Sequence, residues 1–166
     1  GVMALLIVAG FGVGLYMVEL RLSPLQLRLY SYHKWIGVTV FALLVPRIAW
    51  RVRHGPSLPV AMPAWERAAA SAVHLLLYLL MAAIPVSGWL MSSALGVSTV
   101  YLGVWPLPDL LGRNEALGLV LQALHHILND ALLALVALHV AAALKHHFVD
   151  RDDILVRMFR FTGRTE

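Results

Sequence analysis

Four long apolar stretches leave this chain little choice of environment. They cover about residues 2–18, 35–50, 68–91 and 117–144, and a helix of ~20 apolar residues crosses the hydrocarbon of a bilayer. The chain is 60% hydrophobic and only 13% charged, against about 25% charged in a soluble domain. The expected fold is all-α, a four-helix transmembrane bundle with helices at about 2–18, 33–52, 67–92 and 117–147. One membrane domain over 1–166 is expected. The first stretch is already apolar at Gly1, with no initiator Met and no basic segment ahead of it. It reads as a helix truncated at its N-terminus, and poorly as a signal peptide.

Ser23-Pro24, His54-Gly55-Pro56 and Pro63 mark the joints between stretches, and Pro85 is expected to kink the third. The connection from about Ser92 to Ala116 holds Trp105, Pro106 and Pro108, and is expected to lie at the membrane interface, where Trp and Tyr collect. Cysteine is absent, which excludes disulfides, Fe–S clusters, zinc–thiolate sites and covalently attached c-type haem. A net charge of +4 in such a chain bears on topology, and nucleic acid is not an expected partner. Nine Lys and Arg residues lie on the side of the second-to-third joint and the C-terminal segment, against four on the other side. Basic residues favour the cytoplasm, so both termini are expected there.

Eight histidines occur in this apolar chain. Ionisable groups are costly within a membrane and are functional candidates by default. A single buried His is more often a hydrogen-bonded structural residue, but the pattern here is more specific. His125 and His139 are fourteen residues apart on one stretch. That is ~21 Å along a helix and about 40° short of four turns, so both point to roughly one side near opposite membrane boundaries. One metal cannot use both; two stacked haems can. His33 opens the second stretch at the depth expected of His125, so these two pair across one haem. For His139 the partner is either His74 or a residue ahead of Gly1, and the latter is preferred. Asn129 and Asp130 are read either as orienting a ligand imidazole or as simple solvation. Arg47 is read as a partner of haem propionates or as a snorkelling cation. His146 and His147 are interfacial anchors or quinone contacts.

The strings SYHKWIGVTVFALLVPRIAWR, HLLLYLLMAAIPVSGWLM and LHVAAALKHHFVDRDDILVRMFR resemble, in order and on the right helices, the bacterial di-haem cytochrome b561 family. The resemblance covers about Val2 to Arg160. It implies two b haems, His33 and His125 on the periplasmic one and His139 on the cytoplasmic one. The fourth ligand belongs to an LHW-like motif whose position falls just before Gly1. It also implies a bacterial inner-membrane protein exchanging electrons with ubiquinone. One branch of the family is a superoxide oxidase, delivering electrons from superoxide to ubiquinone. Lys34 is then either a cation steering that anion or an ordinary boundary anchor. The alternative expectation is a cytochrome b subunit of a hydrogenase or formate dehydrogenase, docked to a redox partner subunit.

Overall fold

The computed structural model describes residues 1–54 and 63–148. It contains helices α1 (Val2–Glu19), α2 (Pro24–His54), α3 (Ala64–Ala94) and α4 (Glu115–Phe148), with strands β1 (Val100–Tyr101) and β2 (Trp105–Pro106) between α3 and α4. All four helices are long and apolar enough to cross a membrane. Most of their large apolar side chains face outward, among them Leu5, Val8, Val45, Leu79 and Leu133. Such a surface suits lipid and not water. The chain is a multi-pass, all-α membrane protein.

α2 starts nine residues ahead of the expected 33. Pro24 has no N–H to lose at a first helical position, and Ser23 Oγ accepts from the Gln26 amide at 3.2 Å, an N-cap. Polar Gln26, Arg28 and Ser31 hide this turn from a hydropathy reading. Gln26 also joins two helices. Its Nε2 donates to the carbonyls of Met17 (3.0 Å) and Leu20 (2.8 Å), groups that the end of α1 leaves without helical donors.

α3 ends in a Schellman motif. Val97 N–H donates to Ser92 O at 2.9 Å and Gly96 N–H to Ser93 O at 3.0 Å, with Gly96 at φ +72°, as this cap requires. α4 is opened by Asn114, whose Oδ1 accepts from the Leu117 amide at 3.1 Å. Pro85 lies inside α3 and Pro46 inside α2 without ending either helix.

The helices pack in sequence, α3 on α4 most extensively, then α1 on α2 and α2 on α3. Among the described residues, no Cα of α1 comes within 8 Å of one in α4. The first and last helices therefore flank an opening into the bundle, and this opening positions the site.

Candidate functional site

A cavity opens at the level of His33 and His125, lined from all four helices by Gly10, His33, Gly37, Gly88 and His125 among others. α2 supplies His33. Its Nδ1 lies 3.0 Å from Gly10 O on α1. A carbonyl only accepts, so Nδ1 carries the proton and Nε2 keeps a free lone pair. Gly14, one turn on from Gly10, makes room for the ring. A Cβ there would stand 3.1 Å from His33 Cε1 and 3.3 Å from Nδ1.

α4 supplies His125 in a parallel manner. Its Nδ1 is 2.9 Å from Ser87 Oγ on α3. The single Ser87 proton is directed at Ile84 O, 2.8 Å away, so the hydroxyl oxygen accepts from His125. Nε2 is again the free nitrogen. Gly88 is the notch here, a Cβ at this position standing 3.1 Å from His125 Cε1.

The two rings lie 6.3 Å apart between centroids, with planes at 85°. An imidazole nitrogen ligates a metal at about 2.05 Å and sits roughly 1.1 Å from its ring centre, so two imidazoles trans on one metal have centres about 6.3 Å apart. The described residues contain no group of three or more His, Asp or Glu able to hold a bare ion. Two imidazoles at this spacing inside an apolar cavity suit a metal whose other positions are filled by a macrocycle. The residues present therefore fit a haem.

Toward the other end, His74 on α3 lies beside His139 on α4, ring centroids 5.3 Å apart and planes at 64°. That is about 1 Å less than two trans imidazoles require. The Arg47 and Arg51 guanidinium carbons stand 5.9 and 5.4 Å from the Tyr78 ring centre, within cation–π range. Tyr78 is one turn from His74, so α2 brings two cations to the His74 and His139 level.

Lys34 lines the first cavity. Its ammonium donates to Val97 O at 3.0 Å and Ser98 O at 3.5 Å, so the charge is held in place by the α3–α4 connection. Asn129 does not reach the imidazole. Its amide donates to the His125 backbone carbonyl at 2.7 Å, because an Asn four residues along a helix meets that carbonyl first. Ser87 orients the ring instead. His126 borders the same cavity. His146 belongs to the last turn of α4, but its side chain lies outside the described set, as does the basic segment from Arg151 onward.

Reading by sequence missed Gly10, Gly14 and Ser87. A signal existed: Gly10 and Gly14 share a helix face at i, i+4, and Ser87-Gly88 follows a helix-interior Pro. Neither pattern says which histidine it faces.

A family model for prokaryotic cytochrome b561 matches residues 1–161. "Cytochrome b561 homolog 2" of Escherichia coli (strain K12) is 38% identical over 159 residues, covering 93% of this chain and 84% of that protein. "Cytochrome b561 homolog 1" of the same organism is 31% identical over 137 residues, 82% and 77% of the two chains. "Probable superoxide oxidase CybB" of Yersinia pestis is 30% identical over 156 residues, 87% and 88% of the two.

Proposed function

This chain belongs to the prokaryotic cytochrome b561 family, membrane electron-transfer cytochromes that bind haem b, and from that premise we propose that it oxidises superoxide and reduces membrane ubiquinone. Two superoxide anions release two electrons and become dioxygen; ubiquinone takes both with two protons and becomes ubiquinol. The 6.3 Å spacing of His33 and His125, each with Nδ1 engaged and Nε2 free, supports the haem site on which this reading rests.

His33 and His125 are the residues that would hold one haem b, and His139 would help to hold a second. A haem held there would supply reversible one-electron chemistry. The residues around it do the rest. Gly10 O and Ser87 fix the tautomers, Gly14 and Gly88 seat the rings, and the apolar walls exclude water. The short 5.3 Å separation supports His74 as a group that orients His139, rather than one sharing its iron. Arg47 and Arg51 are the proposed partners of anionic propionates, or of a quinone headgroup, at that level.

The superoxide assignment has two supports. A relative bears the name of a probable superoxide oxidase, and Lys34 holds a positive charge at the edge of the His33 cavity, where it would steer an anion. The proposed orientation puts the His33 end on the periplasmic side of the bacterial inner membrane.

The test is the purified protein in detergent. The expected result is two haems per chain and a superoxide-driven, stoichiometric reduction of ubiquinone. Replacement of His125 by Ala should remove one haem and abolish that activity. A haem-loaded protein that fails to pass electrons from superoxide to quinone would overturn the substrate assignment. Obligate co-purification with an Fe–S subunit would favour a subunit of a larger respiratory enzyme.

A further inference from the structure

The α3–α4 connection packs along α2 in an unusual place. His33, Gly37 and Val40 line the cavity and so mark the inner face of α2. Trp35 and Thr39 fall roughly 200° and 240° round the helix from His33, on the outward side. Both hold the connection. Trp35 Nε1 donates to Val100 O at 2.7 Å, and Tyr101 OH pairs with Thr39 Oγ1 at 2.9 Å.

Depth follows from the helices. Thr39 is the central residue of α2, which runs from Pro24 to His54. His33 lies about 9 Å from that centre, and His125 about 10 Å from the centre of α4, by rise per residue. Because the two rings lie at one level, 6.3 Å apart, both helices agree on one midplane. Tyr101 reaches Thr39 by its hydroxyl, so its backbone lies within a side chain's reach of the midplane. That is on the order of 10 Å, against about 15 Å for half the hydrocarbon thickness.

Irregular backbone at such depth needs its polar groups satisfied by protein, and on both flanks of the turn they are. Besides Trp35, Lys34 donates to Val97 O and Ser98 O, and Ser92 Oγ also donates to Val97 O. Trp89 Nε1 donates to Pro108 O at 3.0 Å, and Ser93 Oγ accepts from the Leu110 amide at 3.1 Å. β1 and β2 pair with each other, Tyr101 opposite Trp105. The turn between them presents Leu102, Val104 and Trp105 at 57%, 83% and 72% exposure. Leu102 keeps φ +53°, where Gly or Asn is the usual residue.

We propose that residues 97–110 form a re-entrant hairpin whose tip, Leu102, Val104 and Trp105, is buried in the lipid of the leaflet on the His33 side. The partner is the lipid itself, in the region between glycerol and upper acyl chain, where Trp is favoured. The apolar tip continues the outward face of α2, which the same lipid already covers.

The chain has no cysteine, so a single introduced thiol is unique. Val104→Cys, carrying a nitroxide, is reconstituted in liposomes and its collisions with oxygen and with a water-soluble nickel chelate are compared by power-saturation EPR. Val45→Cys, an exposed position within the membrane-spanning part of α2, sets the lipid reference. Leu22→Cys, beyond the start of α2, sets the water reference. The expected ratio of oxygen to nickel collisions at Val104 is above one, like Val45. A ratio below one, like Leu22, overturns the proposal and leaves the tip to water or to a soluble partner. Trp105→Cys read in the same way gives an independent second position should the first variant fail to fold.

Discussion

Ser87 and two glycines decide how well the proposed ligand histidines, His33 and His125, are held. Ser87 leaves His125 one proton arrangement, because its own hydrogen is committed to Ile84 O. Loss of such an outer partner typically costs 10–100-fold in metal affinity. Ser87→Ala should speed loss of haem to a competing apo-globin by at least about 10-fold and shift a reduction midpoint, whereas Ser87→Thr keeps the acceptor. Unchanged release in Ser87→Ala would show that the hydroxyl serves helix α3 alone. Gly12 and Gly14 give a matched pair on α1. A Cβ at Gly12 meets nothing within 4 Å, and one at Gly14 meets His33 at 3.1 Å. Gly→Ala in a helix interior gains up to about 1 kcal/mol. Gly12→Ala should therefore raise the apparent melting temperature in detergent with the haem spectrum intact. Gly14→Ala should perturb that spectrum and lower haem occupancy. Equal behaviour of the two variants would remove Gly14 from the site.

Helix ends set the heights of the side chains that matter. The Schellman cap at Gly96 turns the chain at the top of α3 and starts the run toward Val97 and Ser98, the carbonyls that hold Lys34. A side chain at φ +72° costs about 1–2 kcal/mol. Gly96→Ala should lower stability by that amount in thermal inactivation, with Gly96→Asn losing less, since Asn tolerates this region. At the other end of α2 and α3, the Lys145–Glu66 pair at 3.5 Å joins α4 to α3. Half exposed on the Lys side, it contributes at most about 1 kcal/mol, so the alignment of these helices rests on packing.

At the scale of the molecule, α1 and α4 do not approach each other among the described residues, and the cavity between them is shared by all four helices. A group bound there touches helices that the protein itself leaves apart. Anything that binds only the folded state stabilises it in proportion to the logarithm of its concentration over Kd. Removal of haem should lower the melting temperature and raise hydrogen exchange in α1 more than in α3, which keeps its long contact with α4. Uniform loss of protection across the four helices would show that the cavity does not depend on its ligand for closure.

By itself the sequence determined the membrane fold. Four apolar runs admit little else, because helices satisfy their own backbone in lipid, and the family was legible in three strings spread across the chain. It also placed His33, His125 and His139 at two depths, since axial rise is fixed per residue. Element ends were less legible. The first turns of α2 are polar, so Ser23-Pro24 and Gln26 define a start that hydropathy overlooks. Only the tertiary structure decided the rest, because azimuth and neighbours depend on how helices pack. It gave His33 to Gly10, His125 to Ser87 and not Asn129, and set the His74 and His139 rings at 5.3 Å against 6.3 Å for the first pair. It also laid a hairpin on the outer face of α2. Periodicity along one helix carries depth and face; what that face meets is written in the other helices.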